Sequence, residues 1–303
     1  MRAINTAEEM LAAFEGNRFD LEKWKRYMDA FVPSAKAMCL GDMQSCLSAG
    51  FSWEKDYLPV LNAVRQNGEK RMEAVGSFRA VAERLDETIL GRFGRTVDAD
   101  VVLYLGLCNG AGWVADFGGR TAILLGIEKI MELDWCGRDA MIGLIVHELG
   151  HVYQSQYGTA RGECRGLPDQ FLWQLFAEGV AMVFEQEIVG DSEYFHQDAH
   201  GWKAWCDHIA ERIKASFAVD IHHMTREDQR YFGDWVRFDG HGDTGYYLGA
   251  RFVRFLLKSE DFDRVIQYGV DEVRRGFHLF VQSAYSTAVH RHRRLFAGLL
   301  LLS

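Results

Sequence analysis

The segment LIVHELGHVYQ, residues 144–154, constrains the fold of this chain more than any other stretch. Its aliphatic residues are typical of a buried helix, yet His147, Glu148 and His151 stand among them. Residues four apart lie on one face of a helix, one turn from each other. A helix therefore directs both imidazoles to the same side, where burying such polar groups costs free energy unless they have partners.

The spacing of these three residues is the H-E-x-x-H arrangement of zinc hydrolases. In that arrangement the two histidines bind one Zn²⁺ ion, and the glutamate contacts a water molecule beside the ion. Zinc lowers the pKa of the water and polarises a substrate carbonyl, while the glutamate accepts the proton. The pattern predicts His147 and His151 as metal ligands and Glu148 as general base. The alternative interpretation is that the three side chains hydrogen-bond within a core that binds no metal.

A catalytic zinc site needs a third protein ligand. The downstream candidates are Glu163, Glu178, Glu185, Glu187, His196 and Asp198. Glu178 is favoured because it lies 27 residues after His151, far enough for a loop and a returning helix, and within the apolar run FLWQLFAEGVAMVFEQ. The neighbouring Gly179 is small, so this helix can approach the first one closely. The other glutamates are expected to contact solvent, Glu163 in a Gly-rich loop and Glu185 and Glu187 on a polar face near the helix end.

The remaining pattern predicts an α+β fold, mostly helical, with a small antiparallel sheet packed beside the H-E-x-x-H helix. Residues 1–95 are predicted to be a helical N-terminal region, since Trp24, Tyr27, Met28 and Phe31 repeat along one helix face. Thr6 and Glu9 have the spacing of a helix capping box. Residues 96–303 are predicted to be a zincin-like catalytic domain with a helical C-terminal part, and the two regions could form one compact unit.

Two shorter segments complete this prediction. Within residues 100–126, β-prone runs on both sides of Gly118-Gly119 predict antiparallel strands joined by a hairpin. The apolar tail LFAGLLLLS is predicted to be a docked terminal helix.

Composition and charge exclude several classes of partner. The net charge of -9 argues against nucleic acid or an anionic membrane as the main partner. There is no run of about 18 apolar residues, so no membrane span is expected. The first residues resemble no signal peptide, and the six cysteines are scattered without a CxxC pair. We therefore expect a cytoplasmic protein with reduced thiols.

Three segments together resemble a known family. HELGH, then FAEGVAMVFEQ, then TGYYLGARFV are similar to the gluzincin class of zinc metallopeptidases, and within it to bacterial zinc-dependent proteases of a domain of unknown function. The resemblance covers roughly residues 98–260. It implies a peptide or protein substrate, zinc held by His147, His151 and Glu178, and Glu148 as the base. It also implies that the strand at residues 120–125 is an edge strand that holds the substrate backbone.

The match departs from the family at one position and leaves one role open. Some gluzincins carry an aspartate one turn after the glutamate ligand, where it orients a histidine, but this chain has Met182 there. The oxyanion donor is predicted to be Tyr246, which matches the Y-x-x-G of the family, with His241 as second choice. The alternative for both tyrosines of this segment is a packing role.

Two other functions remain open from the sequence. A catalytically silent zinc-binding or regulatory protein could keep the same ligands, although Glu148 would then have no role. A second E-x-x-H, Glu193 and His196, together with Glu148 and His151, is typical of di-iron carboxylate bundles. That interpretation needs a long helix at residues 189–200, where the sequence VGDSEYFHQDAH favours a loop.

Overall fold

A computed structural model describes residues 1–116, 119–160, 162–233 and 235–283. The chain divides into two compact units, the first comprising Met1–Val152 with Glu187–Asp191, and the second comprising Tyr153–Gln186 and the chain from Ser192 on. The first unit thus contains the predicted helical region 1–95 together with a sheet. The predicted tail helix LFAGLLLLS lies outside the described residues. Along the described chain, no helix combines the length and the apolar character needed to cross a membrane.

The structure is mostly helical, as the sequence predicts, with two small sheets. The α-helices that begin in the first unit are α1 (Leu21–Phe31), α2 (Pro33–Ser48), α3 (Leu58–Gln66), α4 (Gly68–Ala82), α5 (Leu85–Phe93), α6 (Ile127–Glu132) and α7 (Arg138–Tyr157). Those that begin in the second unit are α8 (Leu167–Val189), α9 (Trp202–His208), α10 (Ala210–Asp220), α11 (Thr244–Leu256) and α12 (Phe262–Val265), and residues 270–283 are also helical. The strands are β1 (Arg2–Asn5), β2 (Phe14–Glu15), β3 (Arg18–Phe19), β4 (Asp100–Tyr104), β5 (Gly112–Asp116) and β6 (Thr121–Gly126). A 3₁₀ turn spans Glu9–Ala13 and a π-helical turn spans Trp53–Tyr57.

The N-terminal helices form where their sequence predicts them. Asp20 caps α1 by accepting a hydrogen bond from the backbone N–H of Lys23, and Trp24, Tyr27 and Met28 form its buried face. Phe31, predicted on the same face, is instead 47% exposed.

The predicted capping box is wrong. Thr6 follows β1, and its hydroxyl donates to the carbonyl oxygen of Leu103 at 2.9 Å and lies 2.7 Å from the Tyr27 hydroxyl. The side chain of Thr6 therefore binds the sheet and α1 rather than the N–H groups of the turn at Glu9–Ala13.

The main sheet has the strand order β1-β4-β6-β5 and is mixed, which corrects the predicted antiparallel sheet. β1 pairs with β4 and β4 with β6 in parallel, while β5 and β6 form the predicted antiparallel pair on either side of residues 117–120. Every residue of β4 is buried, as are all but the first of β6, because both strands lie inside the sheet. The prediction of residues 120–125 as an edge strand is therefore wrong, and within the described residues the edges are β1 and β5.

Candidate metal centre

The two motif histidines lie on one face of α7, as their spacing predicts. Their ring centroids are 5.0 Å apart and the ring planes are nearly perpendicular, at 86°. His147 is buried and His151 is half-buried. The pair thus offers two imidazole nitrogens near one point, one of them on a side chain that solvent reaches.

Glu148 lies against the edge strand of the sheet. It is 8% exposed, and a Cβ atom built on Gly112 would lie 2.8 Å from its Oε1 and 2.9 Å from its Cγ. Gly112 is the first residue of β5. The carboxylate of the predicted base is therefore next to the backbone of the strand that forms the edge of the sheet.

Two groups of three side chains could hold a metal ion, because in each group the ligand atoms lie within 4.8 Å of one another. The first group is the predicted set, His147, His151 and Glu178, and the second is His147, Glu185 and His196. Two imidazoles with one carboxylate form a donor set that suits a catalytic zinc ion. Glu178 lies on α8 and is half-buried, as is His151, whereas Glu185 is 0% exposed.

Glu185 and His196 form a buried pair that was not predicted from the sequence. Nδ1 of His196 is 3.0 Å from each carboxylate oxygen of Glu185, and the backbone N–H of His196 also donates to Oε1 at 3.3 Å. The prediction that Glu185 lies on a polar, solvated face is therefore wrong. Glu187 is half-buried and forms an ion pair with Arg92, while Glu163 is exposed as predicted.

The second E-x-x-H does not form part of a helix bundle. Residues 190–201 form a loop, as the sequence favours. Glu193 is ion-paired with Arg251 and Lys203, whose hydrogen bonds outweigh burial and lower the pKa of Glu193 to about 2. These contacts give Glu193 a structural role on the surface, unlike the inward-facing ligand of a di-iron site.

The two tyrosines of α11 have different environments. The hydroxyl of Tyr247 donates to Oδ1 of Asp207 at 2.7 Å, and burial raises the pKa of this buried tyrosine. Tyr246 is half-buried and packs edge to face on Phe232, with ring centroids 6.2 Å apart. His241 stacks on Trp205 with ring centroids 3.7 Å apart. Tyr247 is thus committed to a structural hydrogen bond, while Tyr246 is the tyrosine with access to solvent.

No family model, no curated protein and no solved structure matches this chain. The gluzincin resemblance therefore stays a hypothesis that depends on the residues described above.

A further buried carboxylate, that of Glu128, binds backbone N–H groups of the loop that precedes β5. Glu128, in the first turn of α6, is 1% exposed and accepts the backbone N–H groups of Gly106 at 2.9 Å and Cys108 at 3.0 Å. Burial raises its pKa to about 7, against the opposing effect of these hydrogen bonds. Glu128 was not among the predicted site residues, although a glutamate next to the apolar strand β6 is a sequence signal for a buried acid.

Proposed function

We propose that this protein is a zinc-dependent metallohydrolase that cleaves peptide bonds, with zinc held by His147, His151 and Glu178. The observation that carries the proposal is the combination on α7 of two imidazoles on one face with the Glu148 carboxylate against an edge strand. A metal site that had only a structural role would need neither an adjacent base nor a nearby strand edge.

Burial favours the predicted ligand set over the group that contains Glu185. A catalytic metal must keep one position open to water and substrate. His151 and Glu178 are half-buried, whereas the side chains of Glu185 and His196 are 0% and 3% exposed. The Glu185 carboxylate is also already bound by His196. We therefore assign Glu185 and His196 a structural role, as a buried hydrogen-bonded pair, and not the role of catalytic metal ligands.

Zinc, when bound, would polarise the substrate carbonyl and lower the pKa of the attacking water. Glu148 would accept the proton of that water at a carboxylate oxygen and pass it to the leaving amine. The hydroxyl of Tyr246 would donate a hydrogen bond to the carbonyl oxygen and so stabilise the negative charge that develops on that atom.

The substrate would lie along β5 rather than along residues 120–125. An extended peptide can add to a sheet only at an edge strand, where backbone N–H and C=O groups point outward. β5 is an edge strand, and its first residue, Gly112, contacts the predicted base. A peptide paired with β5 would therefore bring its backbone carbonyls near Glu148.

The test compares wild type with Glu148→Gln, using Glu163→Gln as an exposed control. Glu148→Gln should keep zinc and fold but lose hydrolysis of a diverse peptide library, because an amide cannot accept the proton. Glu163→Gln should resemble wild type in zinc content and activity. A zinc-loaded wild type that cleaves no peptide would instead identify a silent zinc-binding protein. Visible absorption of the purified protein would indicate iron.

A further inference from the structure

Gly112 is the point at which β5 meets α7. Its backbone lies outside the left-handed region, so conformation alone does not require glycine at this position. The space beside it is nevertheless limited, because a Cβ would lie 2.8 Å from Oε1 of Glu148 and 3.0 Å from Cδ1 of Leu144. Both distances are well inside van der Waals contact. A side chain at residue 112 therefore forces β5 to move, or the side chains of Glu148 and Leu144 to shift.

Residues 105–111, the segment that leads into β5, form hydrogen bonds with the N-terminal helices α1 and α2. The indole N–H of Trp24 donates to the carbonyl oxygen of Leu105 at 2.8 Å, and the hydroxyl of Tyr27 accepts the Leu105 N–H at 3.1 Å. The amide of Asn109 donates to the carbonyl oxygen of Cys39 at 3.2 Å and to Asp42 at 2.8 Å. Helices α1 and α2 thus hold this segment at two points.

The same segment is held on another side by α6 and β6. Glu128 binds the N–H groups of Gly106 and Cys108, as described above. The N–H of Gly126 donates to the carbonyl oxygen of Ala111 at 3.0 Å, immediately before β5 begins. β5 itself is paired with β6 along its whole length. The strand is therefore fixed more firmly than the end of a glutamate side chain.

We propose that Gly112 is a positioning residue for Glu148: its missing side chain sets how close the carboxylate lies to the substrate-binding edge of β5. The inference rests on the proposed function, in which Glu148 is the base and β5 pairs with the substrate. It also gives residues 1–95 a role, because α1 and α2 hold the segment that carries Gly112.

The contact is tested first by stability, which needs no activity assay. Gly112→Ala should lower Tm by several degrees, because the added Cβ overpacks against Glu148. In a Glu148→Ala background the same change should lower Tm by clearly less, because the carboxylate is gone. An equal loss of Tm in both backgrounds would overturn the contact.

The positioning role is tested by kinetics with a matched control two residues away. Gly112→Ala should keep its zinc content and KM but lose roughly 10²-fold in kcat, because a misplaced base slows the chemical step without weakening substrate pairing. Gly110→Ala should keep wild-type kcat, since a Cβ there meets only the carbonyl oxygen of Gly112, at 3.5 Å.

The possible failures can be told apart. An active wild type whose kcat is unchanged by Gly112→Ala contradicts the positioning role and leaves the proposed function standing. A wild type that cleaves no peptide contradicts the proposed function and the positioning role together, and the Tm coupling would still be measured. A fall in kcat that Gly110→Ala reproduces also overturns the specific role of Gly112.

Discussion

Gly179 of α8 and Gly249 of α11 bring two helix backbones into direct contact. A Cβ on Gly179 would lie 2.3 Å from the carbonyl oxygen of Gly249, and the nearest atoms to it all belong to α11. The close helix approach predicted at Gly179 is therefore made by α11 and not by the H-E-x-x-H helix, for which it was predicted. Glu178 directly precedes Gly179, and Tyr246 lies three residues before Gly249. The crossing thus fixes the predicted ligand of α8 relative to the predicted donor of α11.

Alanine at this crossing should destabilise the protein. Gly179→Ala and Gly249→Ala should each lower the free energy of unfolding by about 1–3 kcal/mol or more, because backbone cannot yield as a flexible side chain does. Gly76→Ala is the matched control, since Gly76 lies within α4 and a Cβ there meets open space. It should raise stability by about 0.5–1 kcal/mol. Urea unfolding of the three variants measures the change in the free energy of unfolding, which should be negative at the crossing and positive at Gly76. An increase in stability from Gly179→Ala would contradict the close contact.

The two tyrosines of α11 should separate activity from stability. Tyr246→Phe should keep zinc and fold but lower kcat roughly 10²-fold, about 2.7 kcal/mol, with little change in KM. Tyr247→Phe should retain activity and lose about 1 kcal/mol of stability, because its hydroxyl binds Asp207. Steady-state kinetics and unfolding of both variants check this. Small kinetic effects from both, with a large one from His241→Ala, would transfer the donor role to His241.

The two possible ligand groups contain different carboxylates, Glu178 in the first and Glu185 in the second, so mutation of each carboxylate distinguishes them. Glu178→Gln should lose zinc and become less stable as a result. Glu185→Gln should keep zinc and lose about 1–3 kcal/mol through its buried contact with His196. Metal analysis after dialysis distinguishes the two. Full zinc in Glu178→Gln combined with loss in Glu185→Gln would show that the second group is the metal site.

Glu128 should make stability depend on pH in the acid range. Burial raises its pKa from 4.5 to about 7 in the folded state, so the folded protein binds a proton that the unfolded chain releases. The stability contributed by this proton is present below pH 4.5 and is lost as pH rises through about 7. The unfolding free energy of wild type relative to Glu128→Gln should thus fall by roughly 3 kcal/mol across that range. A constant difference between the two proteins would contradict the raised pKa.

Local patterns predicted the helices of the site but not the arrangement of the sheet. Helix periodicity depends only on residues that are close in sequence. The spacing of His147 and His151 therefore suffices to predict their helix, and the apolar run around Glu178 suffices to predict the helix that carries it. Strand order depends on contacts between distant segments. A signal was nevertheless present, since the continuous apolar run of β6 is typical of an interior strand, while β5 carries Gly112 at one end and Asp116 at the other.

The buried carboxylates were harder to predict than the motif. Glu185 lies seven residues after Glu178 and so shares its helix face, which could have shown that it points inward. Its partner His196 comes from a loop, whose path no periodicity predicts. The prediction of a capping box at Thr6 was wrong for a related reason. The capping pattern is local, but the hydroxyl of Thr6 binds Leu103, which is distant in sequence and lies in the sheet.

The position of β1 also determines how this chain can fold. β1 pairs with β4 in parallel, joining Arg2 to Asp100 across 98 positions, whereas the last residue of β5, Asp116, pairs with Thr121 of β6, five positions further along the chain. Closing so long a loop costs about 2–3 kcal/mol more in chain entropy than bringing β5 and β6 together. We therefore expect the antiparallel pair β5–β6 to form early and β1 to pair late, so that completion of the sheet is the slow step of folding.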